Sequence, residues 1–352
     1  MAGLFQKGWL HWRFLLVYSV MMNTKTPLTD KVKVSILSTM LKIRMVEEAI
    51  AEQYKNQKMR CPTHLSIGQE APPSILSALL THDDQVVSTH RAHAHYLAKG
   101  GNLNAFIAEL HGKASGCSGG MGGSMHLIDQ AVGFMGSTAI VGGTIPIGVG
   151  LALAKQIKQE RGLVVIYIGD GAIEEGVFYE AANFSVVRNL PVLFVCENNR
   201  YSVYSSLDCR QPQDRKIYEL AASIGLQSWH GDGNDISNTF QLCSDAVEHI
   251  KLNNGPAFIE LDTYRWREHC GPNYDDHLEY RPAEEIAYWK SKDPIKLLTK
   301  QLLDSQVIDV SVLNTIKNNI NKDVLIAFEK AELAPFPASN TPENLTYASQ
   351  KQ

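Results

Sequence analysis

The sequence predicts an α/β fold, a parallel sheet with helices on both faces. Two observations carry this. The runs Leu163-Val-Val-Ile-Tyr-Ile168 and Pro191-Val-Leu-Phe-Val-Cys196 are continuously apolar, and a helical segment, Glu174 to Val187, separates them. Strands buried on both faces read this way, and a strand–helix–strand succession needs a crossover between parallel strands. A later unit repeats the pattern, with a helix from about Ile236 to Leu252 and a strand from Pro256 to Thr263.

The remaining elements follow in chain order. From Asp30 to about Lys58 apolar residues recur at helical spacing, giving one long amphipathic helix or two short ones. Arg60 to Gly68 is irregular. Ala71 to Leu80 is helical, with Pro72 and Pro73 tolerated in a first turn. Gly112 to Gly143 is glycine-rich and without period, and a loop of that length inside a compact domain is usually functional. Pro146 opens a small-residue helix, Ile147 to Gln159, whose alanines and glycines face something close. The chain from Pro282 onward is helical and lysine-rich, fading into a polar end after Pro335.

The length of 352 residues and 44% apolar content suffice for a sizeable core, so disorder is excluded. A net charge of −4 argues against nucleic acid as the main partner, because counterion release needs a basic surface. No run approaches the roughly 20 apolar residues of a membrane span. Six scattered cysteines without a C-x-x-C pair read as reduced thiols in a cytoplasmic protein. Residues 1–28 are set aside as an extension. Their apolar run, Phe14 to Met22, lacks the small-residue cleavage site of a secretory signal, and Met21 or Met22 would serve as a start. Residues 29–335 are expected to form one domain and 336–352 a polar tail.

The chemistry concentrates at two strand ends. Gly169-Asp170-Gly171 follows the first strand of the unit and Glu197-Asn198-Asn199 ends the second. Ligands of open α/β sheets bind outside the carboxyl ends of the strands. Neighbouring strands lie about 5 Å apart, so a carboxylate and an amide oxygen would reach one cation. Hard oxygen donors suit Mg²⁺, Ca²⁺ or Mn²⁺, and Mg²⁺ leaves positions for phosphate oxygens. Gly171 and Ala172 let backbone approach a diphosphate at a helix start. Alone, G-D-G is a common turn; with N-N following in the same unit it is far more specific.

G-D-G with N-N at this spacing resembles the thiamine diphosphate signature. The surrounding segments resemble the α subunit of the E1 component of 2-oxo acid dehydrogenases of the pyruvate, branched-chain and acetoin type. These segments are Thr63-His-Leu-Ser-Ile-Gly-Gln-Glu-Ala71, Thr89-His-Arg-Ala-His-Ala-His95, Gly119-Gly-Met-Gly-Gly-Ser-Met-His126 and Ile140-Val-Gly-Gly-Thr-Ile-Pro146. The likeness runs from about Leu41 to Lys300.

The resemblance implies a thiamin diphosphate-binding fold, its diphosphate-binding domain, with thiamine diphosphate and Mg²⁺ as cofactors. Asp170 and Asn199 match the metal ligands, and Tyr201 adds a backbone carbonyl. Arg91 matches an arginine on the diphosphate, and His90 stands where pyruvate enzymes carry tyrosine. Gly171 and Ala172 match positions that line the diphosphate, and Ala139 and Val141 match positions whose backbone holds the aminopyrimidine. Val203 falls where the family carries a bulky apolar residue that supports the bent cofactor. His64 and His93 fall at the mouth of the active site. His269, in Tyr264-Arg-Trp-Arg-Glu-His269-Cys270, matches a histidine that binds phosphate and helps acyl transfer. Cys270 stands where many mitochondrial relatives have a phosphorylatable serine. Read alone, His90, His93 and His95 look like a metal cluster, yet a zinc site wants a fourth ligand and convergence. Glu180 is assigned to structure, and Glu174 and Glu175 stay open.

The family carries a second domain, with the activating glutamate, on a β subunit. The resemblance thus implies an α₂β₂ heterotetramer that decarboxylates a 2-oxo acid, or cleaves acetoin, and passes the acyl group to a lipoyl-bearing E2. The altered loop after His269 leaves open an acyl-transfer or acyloin-forming enzyme without E2, or a catalytically silent subunit.

Overall fold

The computed structural model describes residues 26–59 and 61–338, so most of the amino-terminal extension and polar tail lies outside the described residues. Eight strands are present among them: β1 Gln85–Ser88, β2 Phe134–Ser137, β3 Val164–Gly169, β4 Val192–Asn198, β5 Tyr201–Ser202, β6 Ser205–Ser206, β7 Gln227–Asp232 and β8 Ala257–Asp262. Six form one sheet in the order β2-β1-β3-β4-β8-β7, and every pairing in it is parallel. β5 and β6 make a separate antiparallel hairpin.

Both faces of the sheet are covered. Because side chains alternate along a strand, Val165, Tyr167, Leu193 and Val195 enter one core with Met40, Ile75 and Phe106. Val164, Ile166, Val192 and Phe194 enter the other with Ile145 and Phe178. The doubly apolar runs read from the sequence are therefore β3 and β4, the two central strands.

The first helix is continuous, Asp30–Tyr54, and the Thr29 hydroxyl accepts from the Val32 amide to cap it. The helix Ala71–Leu79 carries its prolines, Pro72 and Pro73, at its second and third positions, within the first turn. The small-residue helix begins at Thr144, two residues before Pro146, which sits in a first turn where no N–H is needed. Its expected close neighbour is the sheet: a Cβ on Gly148 would lie 2.5 Å from Ile166 Cγ1. The helix expected from Glu174 starts at Gly176, behind a 3₁₀ turn over Asp170–Glu174.

Three strands of the sheet, β1, β2 and β7, were not expected. β1 and β2 are four residues long, and β7, at an edge, is polar and half-exposed. None has the continuous apolar run that marks a central strand. β2 lies inside the glycine-rich stretch read as loop. That stretch is tethered by Glu109, fully buried, whose carboxylate accepts from the amides of Ser118 (2.8 Å), Gly120 (2.8 Å), Gly122 (2.6 Å) and Gly123 (3.0 Å). Gly120 has φ +79°, and a Cβ there would meet the Lys113 carbonyl at 2.6 Å.

Candidate active site

β3 and β4 are hydrogen-bonded neighbours, and their register sets Gly169 opposite Glu197. One residue beyond Gly169 the chain turns at Asp170; two beyond Glu197 comes Asn199. Asp170, Gly171, Ala172, Asn199 and Tyr201 line a single cleft together with His90, Arg91, Val141 and His269. Thr89, Gln69, Glu197 and Ser202 complete it.

Asp170 is 2% exposed. Burial pushes its carboxyl above the ordinary range, and the Arg210 guanidinium opposes that shift through an ion pair. The other Arg210 nitrogen donates to Glu174 Oε1 at 2.5 Å. Asn199 Oδ1 accepts from the Tyr201 amide at 3.2 Å, and its Nδ2 donates to Gln69 Oε1 at 3.4 Å. An amide oxygen has two lone pairs, so Oδ1 retains one for a cation. A Cβ on Gly171 would meet Ser202 Oγ at 3.0 Å, so the backbone is bare toward the hairpin.

Arg91 enters from the segment after β1. Its guanidinium donates to the carbonyls of Leu65 (2.6 Å) and His269 (3.1 Å). His64 reaches the same place because residues 63–67 run beside the loop after β8: the Gly271 amide donates to Thr63 and that of Trp266 to Ile67. The rings of His64, His90 and His269 lie 4.7, 5.1 and 5.4 Å apart, centroid to centroid. Burial first, then the Arg91 charge, lowers all three imidazoles, His64 to about 2, His269 to about 3 and His90 to about 4. They are neutral near pH 7. His64 Nδ1 is buried without a hydrogen-bond partner among the described residues.

Other candidates lie elsewhere. His93 is fully buried rather than at a mouth, packed on Phe106 with Nε2 2.7 Å from Ser124 Oγ. His90, His93 and His95 do not converge, since His95 pairs with Ser88 and Glu197. Ala139 is half-buried, with its amide 3.4 Å from His126 Nε2, and Val203 is 43% exposed at the hairpin tip with φ +56°. Glu180 is exposed, Glu174 belongs to Arg210, and all six cysteines are free. A larger cavity of about 830 Å³ opens between Cys61, Lys113, Gly122 and Glu332, and none of the residues assigned to the cofactor lines it.

Arg210 and Gln69 escaped the sequence reading. Arg210 stands in no motif, while Gln69 lies inside the Thr63–Ala71 segment without a role assigned to it, and each reaches the cleft through the fold.

The buried Asp170 carboxylate is held by a cation, its neighbours are hard oxygen donors, and the surrounding groups are N–H donors. The residues fit a divalent ion carrying an anionic ligand. The dehydrogenase E1 component family model matches residues 38–340. The chain is 34% identical over 298 residues to the pyruvate dehydrogenase E1 component subunit alpha of Rickettsia conorii, covering 85% of this chain and 90% of that protein. It is 35% identical over 298 residues to the protein of the same name from Rickettsia bellii, with the same coverage. To subunit alpha-3, chloroplastic, of Arabidopsis thaliana it is 33% identical over 321 residues, 90% of this chain and 74% of that one. With its parallel strands, its cleft at their tips and these relatives, the chain belongs to the dehydrogenase E1 component family.

Proposed function

We propose that the cleft at the tips of β3 and β4 binds thiamine diphosphate through Mg²⁺, in the α subunit of a 2-oxo acid dehydrogenase. The observation that carries this is Asp170, a carboxylate buried beside Asn199 at adjoining strand ends and balanced by a cation. Asp170, Asn199 and the Tyr201 carbonyl would hold the ion. Arg91, His90 and His269 would donate to the diphosphate, and Gly171 and Ala172 would offer it bare backbone. Val141 and Ala139 would meet the pyrimidine through backbone groups, with Val203 beneath the cofactor. His269 and His64 would face the acyl group; His93, buried elsewhere, has no part.

Thiamine diphosphate supplies the electron sink for decarboxylation. The chain's own share is to fix the diphosphate and keep neutral imidazoles at the reacting end. A β subunit completes the site in an α₂β₂ assembly that passes the acyl group to a lipoyl-bearing E2. In support, Ile140 (69%), Val141 (48%) and Ile147 (57%) are exposed beside the cleft, an apolar surface suited to a partner chain. Among the described residues no helix is long and apolar enough to cross a membrane. The likeness to the Rickettsia proteins is the ground on which we place the assembly in the cytoplasm. Residues 29–335 act as one domain.

Calorimetric titration with thiamine diphosphate, with and without Mg²⁺ and a β partner, tests the reading. Metal-dependent binding that Asp170→Asn abolishes supports it; flat heats for the unaltered chain refute it.

A further inference from the structure

One carboxylate in the cleft has no assigned task. Glu197 stands opposite Gly169 and two residues before Asn199, and it lines the same cleft as Asp170. Its Oε2 is 3.1 Å from His95 Nε2. Its Oε1 is buried and without a hydrogen-bond partner among the described residues.

The side chain is also held in place. A carboxylate only accepts, so His95 Nε2 carries the proton, and Nδ1 accepts from the Ser88 hydroxyl at 2.7 Å. The His95 ring stacks on Tyr167 at 3.7 Å and 20°. Glu197, His95 and Ser88 are each under 9% exposed. A buried carboxylate oxygen without a donor costs free energy, and such groups mark places where a ligand supplies the donor.

Resting on the cofactor site proposed above, we propose that Glu197 is a positioning residue that accepts a hydrogen bond from a water on the divalent ion. Asp170, Asn199 and the Tyr201 carbonyl hold the ion directly. Mg²⁺ keeps part of its hydration shell, so a water is left to orient. The Ser88–His95 pair fixes which Glu197 oxygen turns to that water, as outer partners do for metal sites generally. The ligand class is a hydrated divalent cation with its diphosphate.

The competing role is charge balance, because the Glu197 carboxylate also acts on the buried Arg91 guanidinium. The two roles separate by experiment. Mn²⁺ replaces Mg²⁺, and its affinity for the full chain is read by electron paramagnetic resonance with inorganic pyrophosphate present. In Glu197→Gln the His95 proton holds the amide oxygen, so an NH₂ donor faces the water instead of an acceptor. Mn²⁺ affinity is expected to fall roughly 10- to 100-fold, with the melting midpoint little changed and the proton couplings of bound water altered. His95→Phe, which leaves the carboxylate but frees it, gives a smaller fall and carries the test if Glu197→Gln does not fold. Unchanged Mn²⁺ affinity in the variants overturns the proposal. So does tighter pyrophosphate binding with unchanged Mn²⁺, the mark of a counter-charge for Arg91. An unaltered chain that binds no Mn²⁺ removes the cofactor site itself, and this proposal with it.

Discussion

Arg210 caps Asp170: one guanidinium nitrogen pairs with the buried carboxylate while another reaches Glu174 at 2.5 Å. The pair lets Asp170 stay charged where burial works against it. Losing one member of a buried pair typically costs about 3–5 kcal/mol, because a charge is left unpaired. Arg210→Met is therefore expected to lower the metal-free chain's stability by about 3 kcal/mol. Adding Mg²⁺ with pyrophosphate should close most of that gap, since the ion replaces the guanidinium. Thermal melts with and without the ion check this; a gap that persists would count against the ion at Asp170.

Glu109 gives a structural prediction. Its two oxygens take four backbone amides of the glycine-rich loop, the carboxylate fully buried and the amides partly so. Each orphaned buried donor costs about 1–3 kcal/mol. Glu109→Ala is expected to lose at least about 3 kcal/mol in urea unfolding, and limited proteolysis should then cut between residues 118 and 123. A variant with unchanged midpoint and cleavage would show that the loop is held otherwise.

The histidine cluster sets a pH dependence. His64, His269 and His90 are lowered to about 2, 3 and 4, while an unfolded histidine titrates near 6.5. Between those limits the unfolded chain binds more protons, so stability falls as pH drops below about 6.5. Each histidine contributes a slope approaching 1.4 kcal/mol per pH unit. His90→Tyr should reduce the slope between pH 6 and 5 by about one proton, read from urea unfolding at several pH values. An unaltered slope would mean that His90 titrates normally in the fold.

Val203 is a β-branched residue at φ +56°, a conformation that favours glycine. It is kept there by the hairpin and by Arg265, which donates to its carbonyl at 2.8 Å. Strain of this kind costs about 1–3 kcal/mol. Val203→Gly is expected to raise the stability of the cofactor-free chain by about 1 kcal/mol, while weakening thiamine diphosphate binding if the side chain supports the cofactor. Calorimetry and melts on one sample separate the two effects.

The central strands and the paired tips were legible because a strand buried on both faces has to be apolar at every position, as Val164 to Ile168 and Val192 to Cys196 are. The edge strand β7 was not, since a half-exposed strand carries polar residues that read as loop. The meeting of Asp170, Asn199 and Arg91 in one cleft was legible through their motifs. Arg210 was not, because its role comes from the turn that returns it to Asp170. The mouth assigned to His93 failed for a related reason: its place in a motif says nothing of the ring's burial against Phe106.

The helix Thr144–Lys158 is seated on the sheet through Gly148, with no space for even a methyl group before Ile166. Its other side shows Ile147 to solvent, and around Gly150 nothing lies within 4 Å. The contact falls on β3 at Ile166, four residues upstream of Asp170. A single methyl at position 148 would prise the helix from the strand whose tip carries Asp170, so the smallest residue of the chain sets how closely the two layers can lie.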